Sequence, residues 1–146
     1  MRGKTIFFIN YLPSEDKTTK KIQKDNNIIT MLNIYFVRFN FTNIPDYNLF
    51  RRDRTGRRGG GVAVYVRCSL NSDICDYQIA DVRIELLWIE VTFDSRIYII
   101  GALYHPPKPL YKDAELLFEI ENSVAKVTAN YSNATVMLCW RLQSLI

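Results

Sequence analysis

The residues of this sequence best equipped for chemistry crowd into one stretch, 51–61, which reads RRDRTGRRGGG. Arg51, Arg52, Arg54, Arg57 and Arg58 stand there against a single acid, Asp53, so the stretch carries +4. The rest of the chain holds 14 basic and 14 acidic residues, and this one loop therefore supplies the whole net charge of +4. Guanidinium groups concentrated in that way suit a polyanion such as nucleic acid. The alternative is a solvated turn between strands, and charge alone does not choose between them. Arg58-Gly59-Gly60 is a single RGG unit, too little for an RNA-binding box. No Lys-Ser/Thr follows the glycines, so they are not a P-loop. Other reactive residue types are sparse. His105 is the only histidine, and Cys68, Cys75 and Cys139 lack zinc-like spacing. Free thiols in a reducing compartment are expected. The sequons at Asn40, Asn130 and Asn133 are expected to be chance matches.

These residues need a scaffold, and the composition provides for one. A chain of 146 residues with 48% hydrophobic and 23% charged residues reads as a single globular domain over 1–146. No apolar run approaches the roughly 18 residues that a membrane helix needs. The run at 5–9 is too short for a signal peptide and lacks a cleavage site, so it reads as a buried strand. An intracellular location, nuclear or cytoplasmic, is expected, with no membrane partner and no small-molecule substrate. The oligomeric state is not legible.

Strands are expected over 5–9, 28–36, 62–67, 86–93, 96–104 and 135–139 from β-branched and aromatic runs. Asp94-Ser95 separates two of them at hairpin spacing, and Pro106-Pro107 stops the second. Ser14 can cap a weak helix over 15–24. Over 112–129, Leu116, Leu117, Ile120, Val124 and Val127 fall at helical spacing, an amphipathic helix of about four turns. Pro45-Asp46 marks a turn, followed by the arginine and glycine loop. The order predicts an α+β domain with largely antiparallel sheets, in which 61–67 pairs with 86–93 because both alternate apolar residues.

Four blocks now stand in order: DYNLFRRDRTGRRGGGVAVYVR from Asp46, ELLWIEV at 85–91, IYIIGALYHPP at 97–107 and TVMLC at 135–139. Together they resemble the endonuclease domain of non-LTR (LINE-type) retrotransposons. That domain belongs to the exonuclease–endonuclease–phosphatase superfamily, which also holds the abasic-site nucleases. The likeness is strongest over 46–107 and ends near 139. It implies a partial four-layer α/β/β/α sandwich with mostly antiparallel sheets, its C-terminal part missing, as in a truncated copy. The implied ancestral activity is Mg²⁺-dependent phosphodiester hydrolysis that nicks DNA for target-primed reverse transcription.

Carried over residue by residue, the resemblance implies that Asn10 matches the asparagine ending the first strand. It makes Tyr104 the tyrosine that helps hold the scissile phosphate. The metal-binding glutamate falls on Ile34, within Asn33-Ile34-Tyr35-Phe36, and isoleucine cannot bind a hard cation. Where the family reads Gly-Asp-Phe-Asn after the TVMLC strand, this sequence has Trp140, Arg141, Leu142 and Gln143. A Ser-Asp-His motif would lie beyond Ile146, and His105 sits in a turn where the family tolerates other residues. The expectation is a domain that neither cleaves DNA nor binds Mg²⁺ specifically. Weak, sequence-blind DNA binding is expected from Arg51, Arg52, Arg54, Arg57 and Arg58. The alternative is a non-catalytic nucleic-acid-binding remnant using that loop.

Overall fold

The computed structural model describes residues 6–10, 34–37, 45–56 and 61–142, and for 6–10, 34–37 and 141–142 the backbone only. Eight strands and one helix occur among them. The strands are β1 (Ile6–Asn10), β2 (Ile34–Val37), β3 (Tyr47–Asp53), β4 (Gly61–Arg67), β5 (Asn71–Ile74), β6 (Glu85–Phe93), β7 (Arg96–His105) and β8 (Thr135–Leu142). The helix, here α1, is Asp113–Asn130. The helix expected over 15–24 and the strand residues expected at 5 and 28–33 lie outside the described residues.

The longest runs of β-branched and aromatic residues make the centre of the molecule. β6 and β7 form an antiparallel hairpin whose two turn residues, Asp94 and Ser95, sit at φ 49° and 59°. Positive φ at both positions gives the primed turn whose twist matches that of the flanking strands. Gly101 lies opposite Trp88, and a Cβ on it would meet the indole at 2.7 Å. The glycine makes room for the largest fully buried side chain.

The five-stranded sheet has the order β1-β8-β7-β6-β5, and a three-stranded sheet has the order β2-β4-β3. β8 runs parallel to both β1 and β7, while the other pairings are antiparallel. The chain is thus α+β with two mostly antiparallel sheets.

Three sequence expectations need correction. β4 pairs with β2 and β3 rather than with the 86–93 strand. The two alternating segments do share a buried face, but by stacking: Val62, Val64 and Val66 pack against Leu87, Ile89, Val91 and Ile100 from the other sheet. Alternation says which face is buried and not whether the cover is a neighbouring strand or an opposing sheet. The stretch after Pro45-Asp46 is also no loop, because Tyr47–Asp53 is a strand and carries Arg51 and Arg52 in its ladder with β4. Finally, Leu117 is 60% exposed beside an exposed Phe118, so the core stripe of α1 runs through Leu116, Ile120, Val124 and Val127.

That stripe covers the outer face of the five-stranded sheet, over Leu86, Trp88, Ile99, Val136 and Leu138. Helix, large sheet and small sheet therefore stack as three layers among the described residues. The start of α1 is fixed by Glu115, whose carboxylate accepts the Lys112 N–H at 2.7 Å, with Asp113 adding a second acid to the first turn.

Candidate functional site

β6 opens with a charged residue at the head of an otherwise apolar strand core. Glu85 is only 4% exposed. A carboxylate taken out of water must be paired or hydrogen-bonded, and both of its oxygens are. Arg54, just past the end of β3, donates its Nε–H to Oε1. The backbone N–H of Gly61 donates to Oε2 at 3.2 Å. The bond to Glu85 is the chief reason the Arg54 guanidinium is held above its ordinary basicity.

Gly61 can do this because it has no side chain. Its φ is +98°, and a Cβ there would lie 2.7 Å from the Arg52 carbonyl oxygen. The last glycine of the Gly-Gly-Gly run is thus required by backbone geometry and by close approach.

Tyr104 stands directly opposite Glu85 in the β6–β7 ladder and is 3% exposed. The Arg54 guanidinium carbon lies 5.8 Å from its ring centroid, a cation–π distance. One residue on, His105 Nδ1 lies 3.0 Å from the Tyr111 hydroxyl. Burial first, then the charges of Glu85 and Asp113, push the Tyr111 hydroxyl up to about 12. Its proton therefore stays on at neutral pH, and which of the two groups donates follows the His105 tautomer. This end of the sheet thus gathers two polar groups, Glu85 with Arg54 and Tyr104, and His105 with Tyr111.

The remaining sequence-predicted residues divide. Asn10 ends β1 opposite Trp140, which lies opposite Leu103 of β7. Asn10 and Tyr104 thus reach the same end of the sheet two strands apart, about 10 Å from the spacing of strands. The Asn10 side chain itself is outside the described residues, as are Arg57 and Arg58. Arg51 is exposed on β3 and grips Asp53 through two bonds of 2.8 Å. Arg52 points inward instead. Its guanidinium donates to the carbonyl oxygens of Ile79 at 2.9 Å, Asp81 at 3.2 Å and Leu86 at 3.3 Å. Burial lowers its basicity, and Asp81 and Glu85 work against that shift.

Ile34 is the first described residue of β2 and lies opposite Val66, at the far end of β4 from Gly61. No Asp or Glu occurs between Asp25 and Asp46, so the sequence around β2 supplies no carboxylate for a metal. Around Tyr104 the donor set does not fit Mg²⁺ either. Its carboxylate, Glu85, is already held by a guanidinium and a backbone N–H, whereas Mg²⁺ needs anionic oxygens left open to it. No step is therefore assigned to a metal here.

Sequence reasoning passed over Glu85. The signal was present: one acid directly before Leu-Leu-Trp-Ile, in a strand buried from its first residue. Such a residue needs a charge partner, and it takes Arg54, 31 residues away, rather than the nearer Arg83. Comparison with protein-family models, curated proteins and solved structures finds no match to this chain.

Proposed function

We propose that this chain is an endonuclease-like domain of retrotransposon origin in which phosphodiester hydrolysis has been lost. The observation that carries the reading is the convergence at one end of the large sheet. Tyr104 and the end of β1 at Asn10 arrive there together, as the resemblance implies for a phosphate-handling site. The resemblance itself rests on the four ordered sequence blocks, the third of which contains Tyr104. Loss of chemistry follows from what the groups are. In-line hydrolysis needs an activated water and a cation on the phosphate. After Cys139 stand Trp140, Arg141, Leu142 and Gln143 where the resemblance implies Gly-Asp-Phe-Asn, so the acidic position holds an arginine, and β2 brings no carboxylate.

The test is nicking of supercoiled plasmid by the purified chain with Mg²⁺. No cleavage above background is expected from the native protein or from Ile34→Glu alone, because groups that act as a unit fail together. Nicking that disappears in Tyr104→Phe and in EDTA would overturn the loss of activity.

A second reading is a non-catalytic nucleic-acid-binding remnant, and the exposed Arg51 beside the basic 54–58 segment favours it. Binding would be weak, sequence-blind and steeply weakened by salt. Alanine at Arg51, Arg57 and Arg58 that leaves DNA affinity unchanged would exclude this role.

A further inference from the structure

Exposed large apolar side chains, Ile74 apart, gather around the start of α1. Leu117 and Phe118 are 60% and 65% exposed on the helix, and Leu110, just before it, is 55% exposed. Val82, at 59%, belongs to the 81–83 turn that Arg83 bonds to Glu115. An open groove of about 390 Å³ runs between that turn and the helix, lined by Asp81, Arg83, Ala114, Glu115, Phe118 and Glu119. Apolar residues exposed singly need no explanation, but a group of them beside a concave surface marks a place that another surface covers.

Charge selects the cover. Residues 113–121 read DAELLFEIE, four carboxylates with no base. Arg83 pairs with Asp81 and Glu115, whereas Asp113, Glu119 and Glu121 form no ion pair among the described residues. Asp113 and Glu115 sit in the first turn, where the helix dipole favours acids; Glu119 and Glu121 lie beyond it and gain nothing from the dipole. The face is therefore anionic on a chain whose net charge is +4. It repels nucleic acid and anionic lipid. Two copies meeting through this same face would bring their carboxylates together, a like-charge contact that costs affinity. A cationic segment with an apolar side chain satisfies both features, its lysine or arginine facing the carboxylates and its apolar group covering Phe118.

We propose that the groove between the 81–83 turn and α1 docks a basic amphipathic segment of a partner protein, with Phe118 as the apolar anchor and Glu119 as the charge that selects it. The inference stands apart from the endonuclease reading, because no residue of the groove is among those on which that reading rests.

The experiment titrates the isotope-labelled full chain with a short helical peptide of leucine and lysine and follows the backbone amides by NMR. Two further peptides of the same length, one of leucine and glutamate and one of serine and lysine, remove the charge match and the apolar group in turn. The leucine–lysine peptide is expected to bind, with shifts confined to 81–83 and 110–121, and to weaken as KCl is raised. Phe118→Ser should weaken it about tenfold or more, as loss of an anchor does. Glu119→Lys should weaken it several-fold, and the other two peptides should leave the amides unmoved. Both substitutions fall on the surface face of α1, and unchanged amide positions elsewhere in each variant show that the fold is kept.

The proposal is overturned if the leucine–lysine peptide fails to bind or shifts amides elsewhere, or if its affinity survives Phe118→Ser or Glu119→Lys. Equal binding of the leucine–glutamate peptide would reduce the face to a sticky apolar patch, and equal binding of the serine–lysine peptide would remove the anchor. Sedimentation of the chain alone covers the remaining occupant: a dimer that Phe118→Ser dissociates would make the groove a contact between copies and sink the proposal.

Discussion

Glu85 and Arg54 show at the residue scale how a buried charge constrains a site. The carboxylate is satisfied only while both Arg54 and the Gly61 N–H reach it. Removing one partner leaves an uncompensated charge in a dry place, whereas replacing both with apolar groups removes the demand. Arg54→Met is therefore expected to destabilise the protein by about 3 kcal/mol, and Arg54→Met/Glu85→Leu to recover most of that loss. Urea unfolding midpoints of the two variants against native protein check this; a double variant no better than Arg54→Met would refute it. Much of this site was illegible in the sequence for one reason. Residue types announced that Arg51 to Arg58 were basic, but not that Arg52 would turn inward to carbonyls or that Arg54 would be claimed by Glu85. Partners separated by 27 to 34 residues are set by sheet packing, which no local pattern encodes.

The legible elements were those whose pattern is strong and local. β4, β6, β7, β8 and α1 lie where β-branched runs, a turn pair and helical spacing put them. β3 was misread because its arginines hid a strand half-buried at Tyr47, Leu49, Phe50 and Arg52, without strict alternation, with Phe50 packed on the core. β5, reading NSDI, is short and polar because it is an edge strand, and such strands carry almost no signal. The β6–β7 turn invites a direct test. Asp94 and Ser95 both occupy positive φ, where Asn-Gly is favoured. Asp94→Asn/Ser95→Gly is expected to stabilise by about 0.5–1 kcal/mol and raise Tm by several degrees. A lowered Tm would mean that the parent side chains hold the turn in some other way.

Two properties belong to the whole molecule. Arg83 bonds Asp81 at 2.8 Å, Glu115 at 3.2 Å and the Leu110 carbonyl at 3.2 Å, so it joins the 81–83 turn to the start of α1. The Arg83 hydrogen bond holds the Asp81 carboxyl below its ordinary 3.8. The Lys112 backbone N–H, and then Arg83, hold Glu115 below 4.5. Folded values depressed in this way give stability that is complete above the unfolded values and lost as pH falls through the folded ones. Unfolding midpoints should therefore hold steady down to about pH 5 and drop below about pH 4, less steeply in Arg83→Ala. An equal acid loss in that variant would place the effect elsewhere. The thiols are sorted by the same packing. Cys68 is exposed, while Cys75 and Cys139 are buried, and burial raises both of the latter, Cys75 to about 12. A disulfide reagent should modify one thiol quickly in native protein and three in urea; fast reaction at Cys139 would mean that the inter-sheet core opens.

Threading β8 between β1 and β7 has a consequence for the history of each molecule. Ile6 pairs with Val136, so β1 finds its partner only after 130 more residues have been added. The β6–β7 hairpin and α1 can assemble during that interval, since their contacts are local. β1 cannot, and a ribosome stalled within α1 holds a chain in which β1 has no ladder and the inner edge of β7 is bare. The nascent chain is most exposed to chaperone capture in that window, which closes when β8 arrives.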